Sequence, residues 1–589
     1  MKQPDKLRFL LVLYAFAYGT IMLSLGRLHA YEFSPYHRYQ AEALLHGHLG
    51  LADSIYALQH GLVWHDGHVQ HVWGLGIGLW LLPFEAVWRL FGSQPFPDRI
   101  ALGLAFALLA FFSGGTGLRL VRQGQSKTGM GLIWLVVLCP ALWTLARNSQ
   151  LVFEETVLYS TILSLGILVS LVRVAAFDST RDYFLCCALG SFAIWVRPTH
   201  AVYGLAAVLL ASLIVWNRRR SWKQVIAGIS LWLAGLAILA WTNYVRFGSP
   251  TEFGHYLTVS TGTMMYLPRF ANPYHQASLF ESARELFGLL FLARPRGANA
   301  FADNLFPGQS PFTRWRRLDM TAFDLSYAIL GLIAVMAALF WLWRYRGKGK
   351  TIVSQQPQAI LTISLLSWSS ISTIGLAGFY LHYPIIASRY LLDFAPAFTG
   401  LVMLVWILVP ARWSKFAWPL LSVLLVYEIA SAKVAVQPQL APNSPMLLDL
   451  PQTHGTPLRV FNGTYTLNHH PIGTKIAGNG YGWEPETGYA AGVVSLAVDE
   501  PRYVELHVSK RRSFNSATAK KDAYQAQIDG VPLLLQIVVG ESDGLKITFE
   551  IPPRIQTRQQ NEILFLCFSD GYGFEDRDSE RFLYSVRWR

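Results

Sequence analysis

From Tyr183 the chain reads Tyr183-Phe-Leu-Cys-Cys-Ala-Leu-Gly-Ser-Phe-Ala-Ile-Trp-Val-Arg197-Pro198-Thr199-His-Ala-Val-Tyr-Gly-Leu-Ala-Ala-Val-Leu-Leu-Ala-Ser-Leu-Ile-Val-Trp216. Two apolar runs flank a single interruption. A helix needs about 20 apolar residues to cross the hydrocarbon of a bilayer. Proline disfavours a helical residue before it, and an arginine at mid-membrane is costly. The stretch therefore reads as two spans, 183–197 and 199–216, joined by a tight hairpin with Arg197 at one membrane surface.

The same pattern extends in both directions. Further runs of spanning character cover 8–26, 99–118, 129–147, 156–176, 222–242, 324–344, 357–379, 388–409 and 414–431. The expected fold is a polytopic α-helical membrane protein of about eleven spans, covering 1–436, with a soluble C-terminal domain over 437–589. Composition agrees: 52% of residues are hydrophobic, only 14% are charged, and mean hydropathy is +0.31. The net charge of +13 sits in short clusters between apolar runs, which reports topology and excludes a nucleic-acid reading of the charge. Cys139, Cys186 and Cys187 lie in apolar runs and Cys567 stands alone in the tail, so neither a disulfide framework nor zinc-type Cys/His spacing is present.

The basic clusters fix the expected orientation. Lys2/Lys6/Arg8, Arg119/Arg122/Lys127, Arg218-Arg219-Arg220/Lys223, Arg344/Arg346/Lys348/Lys350 and Arg412/Lys415 all fall on one side if 72–91 does not cross. That stretch holds Pro83 and Glu85, and it reads as a segment that lies on or dips into the outer leaflet, the alternative being a true crossing with one basic cluster outside. The N-terminus lacks a small-residue cleavage site and reads as an uncleaved first span. The expectation is thus an inner-membrane, multi-pass protein with a cytoplasmic N-terminus. Outer loops are expected at 27–98, 148–155, 243–323 and 380–387, and the C-terminal domain is periplasmic or extracellular. From about 440 the runs alternate with period two between turn residues such as Asp529-Gly530, Asp543-Gly544 and Pro552-Pro553, which predicts a β-sandwich.

The first outer loop carries the chemistry. It reads Tyr31-Glu32-Phe33-Ser34-Pro35-Tyr36-His37-Arg38-Tyr39-Gln40-Ala41-Glu42-Ala43-Leu44-Leu45-His46-Gly47: an acid just past the first span, a tyrosine four residues on, then a short helical run closed by glycine. This resembles the GT-C fold glycosyltransferases that use polyprenyl-phosphate-linked sugars, the superfamily of protein mannosyltransferases and aminoarabinose transferases. In those proteins the first loop carries Asp-Glu-x-x-Tyr, a short helix and a glycine. The resemblance implies that Glu32 is the catalytic carboxylate and Tyr36 the motif tyrosine. This chain has one acid where the family has two, and its tyrosine comes one residue later. The second loop, Asn148 to Thr156, then supplies Glu154 or Glu155 as the further acidic residue, in a donor- or metal-binding role. Tyr383-Pro384 through Arg389-Tyr390 resembles an outer-loop Arg-Tyr motif.

The implied reaction moves a sugar from a polyprenyl-phosphate donor to a glycan, lipid or protein acceptor. A base must take the acceptor's proton, and the leaving phosphate needs cations, for which Arg389, Arg197 and His71 are candidates. Tyr36, Trp64 and Tyr390 would line the substrate. A divalent cation is the one cofactor the reading leaves open. Each residue also has a plain reading. Glu32 suits a hydrated helix end, Glu154 and Glu155 suit the positive end of a helix, and Arg197 suits an interfacial snorkelling position. His60, His65, His68 and His71 with Asp53 and Asp66 allow metal binding, yet Trp64-His65-Asp66-Gly67-His68 reads first as a hairpin. Asn243-Tyr-Val-Arg246-Phe-Gly248-Ser-Pro250 closes a span and starts a turn. Two other functions fit a chain of this kind: a transporter or flippase of lipid-linked glycans, or a degenerate scaffold presenting the β-domain. Paired broken helices and half-to-half similarity, the marks of many transporters, do not stand out in the sequence.

Overall fold

The computed structural model describes residues 3–25, 36–51, 62–65, 68–92, 94–148, 152–254, 278–287, 357–382, 392–408, 466–467, 470–471, 489–495, 500–510, 525–528, 531–541, 544–558, 563–569 and 582–589. Seven helices among these are long and apolar enough to cross a membrane by length and composition: Lys6–Ser24, Asp98–Arg122, Ser126–Trp143, Glu154–Phe177, Pro198–Arg219, Trp222–Phe247 and Ala359–His382. The expected spans 324–344 and 414–431 lie outside the described residues. Of the expected span 388–409, the described residues 392–408 form a 3-10 turn at Leu392–Phe394 leading into a helix over Ala395–Leu408.

Over the described residues the helices are α1 (Gln3–Ser24), α2 (Tyr36–Leu45), α3 (Gly76–Trp88), α4 (Asp98–Arg122), α5 (Ser126–Val137), α6 (Pro140–Asn148), α7 (Val152–Phe177), α8 (Thr180–Val196), α9 (Ala201–Arg219), α10 (Trp222–Phe247), α11 (Leu279–Phe287), α12 (Pro357–His382) and α13 (Ala395–Leu408). The chain divides into two compact units. The first comprises Met1–Ala41, Gly74–Leu239 and Ser278–Pro442; the second comprises Glu42–Trp73, Ala240–Ala277 and Asn443–Arg589.

In the first unit α7 is the central helix: 89% of its apolar window is buried, against 22% for the α1 window. Neighbours reach each other through glycine. A Cβ on Gly204 of α9 would stand 2.4 Å from the carbonyl oxygen of Gly190 in α8, so only glycine lets these backbones approach. Gly117 of α4 and Gly129 of α5 meet the same way, each 2.5 Å or less from the other's oxygen once given a Cβ. The expected span 129–147 is broken: α5 stops at Val137 and α6 restarts at Pro140. Pro140 has no N–H to continue the ladder. The Val136 carbonyl, four residues back, accepts from the Cys139 backbone at 3.3 Å, and the Val137 carbonyl accepts from Trp143 Nε1 at 2.8 Å and the Tyr18 hydroxyl at 3.1 Å. Backbone groups inside a membrane must find such partners within the protein.

The helix α3 has 13 residues, about 20 Å at 1.5 Å per residue, short of the roughly 30 Å hydrocarbon. Its Glu85 is buried, accepting from Arg89 Nε at 2.7 Å and from the Phe96 backbone at 2.7 Å. Beyond the buried part, Leu90 and Phe91 are exposed. The segment has the dimensions expected of a helix that does not cross.

In the second unit, β1 (Leu62–His65) pairs antiparallel with β2 (His68–His71), His65 opposite His68, giving the two-residue hairpin expected at Asp66-Gly67. The C-terminal strands form two four-stranded antiparallel sheets. One joins Phe582–Trp588, Tyr503–Lys510, Gly544–Glu550 and Leu534–Glu541; the other joins Tyr489–Ser495, Ile563–Ser569, Gln525–Ile528 and Val531–Pro532. In the first sheet Glu505 is buried and bridges Lys546 at 3.1 Å and Arg589 at 3.1 Å.

The glycine contact generates a test. Gly204→Val forces α8 and α9 apart, and overpacking of this kind costs about 1–3 kcal/mol. The variant is expected to melt lower than wild type by fluorescence-detected unfolding in detergent, whereas Gly92→Ala, which meets nothing within 4 Å, leaves the melting temperature unchanged.

Candidate functional site

The helix α2 is the short helix expected after Glu32, and Gly47 closes it at φ +79°, a conformation that favours glycine. Tyr36, His37, Arg38, Tyr39, Gln40 and Ala41 are all buried. Such burial on every side is foreign to a surface loop helix and marks one wedged among neighbours. Arg38 Nη1 stands 3.4 Å from Asp98 Oδ2 at the start of α4. The stem of Gln40 packs where a Cβ on Gly78 of α3 would fall. His37 Nε2 lies 3.0 Å from the Thr156 hydroxyl in the first turn of α7. That hydroxyl donates to the Val152 carbonyl at 2.6 Å, so it accepts from His37, which carries its proton on Nε2.

This bond brings two expected features together. Tyr36 is next to His37, and Glu154 and Glu155 directly precede Thr156 in α7. Both glutamates are buried, at 5% and 2% exposure. The N-terminal end of a helix favours acidic side chains, which helps account for two adjacent carboxyls inside the protein. Burial holds the His37 imidazole down to about 3, so the ring is neutral at ordinary pH. Chemically the start of α7 carries two buried carboxyls next in sequence to the threonine that holds a neutral imidazole, residue types suited to proton transfer or to contacts with sugar hydroxyls. Among the described residues no group of three metal-ligating side chains forms.

Arg197, at the expected hairpin, is largely enclosed by protein. It stands in extended backbone at the end of α8, φ −153°, with its side chain 13% exposed, and its Nη2 meets Asp393 Oδ2 at 2.8 Å. Asp393, fully buried, also faces His200 Nε2 at 3.3 Å and accepts from the Tyr380 hydroxyl. His200 Nδ1 lies 2.7 Å from the Ser164 hydroxyl of α7, and the Tyr203 hydroxyl donates to the Asp393 carbonyl at 2.6 Å. The carboxylate thus gathers the α8–α9 turn, α12 and the start of α13. Arg197 has a carboxylate partner of its own, and a phosphate would have to share it.

His71 belongs to the second unit, with Nδ1 accepting from the Trp73 backbone at 3.2 Å and its ring stacked on Trp73 at 6.0 Å. Trp64 lies in β1, and its side chain falls outside the described residues, as do Glu32, Arg389 and Tyr390. Sequence reading missed His37, Thr156, Asp98, His200 and Asp393. The signal for the last two was available: an ionisable residue inside an apolar run needs a partner, and each is the other's. No protein-family model matches the chain, and no curated protein matches it in sequence.

Two outcomes follow. Asp393→Asn leaves Arg197 buried without its counter-ion, a loss of about 3–5 kcal/mol, and is expected to lower the detergent melting temperature sharply; the double variant Asp393→Leu/Arg197→Met recovers part of it. For His37, the unfolded ring takes a proton near 6.5 and the folded ring only near 3. The unfolded state therefore binds more protons between those values, and stability rises with pH across that window. Thermal melts from pH 4.5 to 7.5 are expected to climb with pH in wild type and to flatten in His37→Gln.

Proposed function

We propose that the chain is a GT-C-like membrane glycosyltransferase that moves a sugar from a polyprenyl-phosphate donor to a glycan, lipid or protein acceptor on the outer face of the inner membrane. The observation that carries the reading is the His37–Thr156 bond, which docks the Tyr36 helix on the turn that buries Glu154 and Glu155. A short helix of the first loop seated on the acidic start of α7 supports the reading, which asks that Glu32, Glu154 and Arg389 converge on one cavity.

In this reading Glu32 is the base. It takes the acceptor hydroxyl's proton as the new glycosidic bond forms and the bond to the donor's phosphate breaks. The carboxylate suits that role, and positioned proton transfer contributes about 10²–10⁴-fold. Glu154 and Glu155 bind donor hydroxyls or a divalent cation, and Arg389 grips the departing phosphate. Tyr36, Trp64 and Tyr390 line the sugar. One carboxylate at the motif position fits a single displacement with inversion. The basic clusters place the N-terminus in the cytoplasm and the C-terminal domain, read as a β-sandwich, outside.

The test is transfer from polyprenyl-phosphate sugars by the full-length protein in lipid. Glu32→Gln is expected to fall by about 10²-fold or more with folding intact, and Glu154→Gln and Glu155→Gln to fall less. Full transfer by Glu32→Gln removes the catalytic assignment.

A further inference from the structure

In the second unit the end of α10 holds a buried charge whose hydrogen-bond partners among the described residues are neutral. Arg246 is 2% exposed. Its Nε donates to Gln70 Oε1 at 3.2 Å, an Nη donates to the His71 carbonyl, and the Phe247 ring centre lies 4.6 Å from its Cζ. A guanidinium carries five N–H donors, and these two bonds use two of them. No carboxylate pairs with Arg246 among the described residues. One turn earlier, at i−3 and so on the same face of the helix, Asn243 is 1% exposed and its amide nitrogen has no hydrogen-bond partner among the described residues.

Both facts point the same way. Buried cations need a counter-charge, and buried donors need acceptors. The negative end of the α10 dipole offsets part of the charge but offers no acceptor to the amide of Asn243. From the hairpin β1–β2 the described acceptors are the neutral oxygens of Gln70 and His71. Gly254, at φ +81°, packs close to Phe247 and Val72. On the outside of the same helix end Trp241, Tyr244 and Val245 are 61%, 60% and 50% exposed, the aromatic-rich surface that proteins place at the lipid headgroup level.

We propose that Arg246 and Asn243 bind a phosphate-type oxyanion at the end of α10, the guanidinium supplying paired N–H donors and the amide a third. A tetrahedral phosphate has the several acceptor oxygens that this donor set requires. The anion is either a lipid phosphodiester or free phosphate, and the site stands independently of the transferase reading.

The experiment uses the full-length protein, delipidated in maltoside detergent in phosphate-free buffer at constant ionic strength. Inorganic phosphate is titrated in one arm and phosphatidylglycerol mixed micelles in the other, with melting temperature as readout. Wild type is expected to gain about 2–4 °C near saturation, and Arg246→Gln to gain nothing. Asn243→Asp sets a carboxylate at i−3 to the arginine. It is expected to melt at or above wild type without added anion and to ignore both additives, which a purely structural arginine would not predict. A gain with inorganic phosphate identifies a free-oxyanion site, and a gain with phosphatidylglycerol alone identifies a headgroup site. No gain in wild type from either, or equal gains in wild type and Asn243→Asp, overturns the proposal.

Discussion

A single carboxylate organises the helical unit. Asp393 lies in an apolar run, fully buried, where an unpaired charge would be prohibitive. It is tolerated because Arg197, His200 and Tyr380 converge on it, with Tyr203 holding its backbone carbonyl. Those partners come from the α8–α9 turn, α9 and α12. Satisfying one charge therefore fixes where three elements meet, and fixes the start of α13 as well. Since breaking a buried pair costs far more than removing it whole, the network specifies the arrangement more than it adds net stability.

The rest of the unit answers a related demand, that no backbone polar group be stranded in hydrocarbon. The α5–α6 break exposes the Val137 carbonyl, and Tyr18 and Trp143 cover it. At the far end of α7, Arg218 donates to the carbonyls of Val174 and Ala175 at 3.1 and 2.5 Å, closing a helix end that would otherwise be bare. With both ends of α7 tied, its first turn becomes a fixed platform. The Tyr36 helix sits on that platform, and this seating turns two adjacent glutamates into a candidate site.

The sequence made the membrane helices legible because their signal is local: about twenty apolar residues and basic ends. It also revealed the 183–216 hairpin, since Arg197-Pro198 interrupts an otherwise continuous run, and the Asp66-Gly67 turn. It gave no sign of the Asp393 partner of Arg197, because that partner is 196 residues away and pairing at that separation leaves no local trace. The break at Pro140 was written in the sequence but outweighed by the apolar run around it. The seating of α2 was not legible: His37 and Thr156 are ordinary residues in their own neighbourhoods, and only the fold makes them partners. Glu154 and Glu155 were identified from their loop position, while their burial came from the packing around α7.

The central claim is that Glu32 and the acidic turn of α7 face one cavity. Thiol cross-linking tests it directly. Glu32→Cys and Glu155→Cys are paired in a chain whose Cys139, Cys186, Cys187 and Cys567 have been replaced, and treated with a reagent of about 10 Å reach, the scale of a sugar-phosphate spanning base and phosphate site. The account predicts efficient intramolecular linkage in lipid, suppressed by a polyprenyl-phosphate sugar. A pair that both react with a monofunctional thiol reagent yet never cross-link would place Glu32 away from the turn and contradict the account.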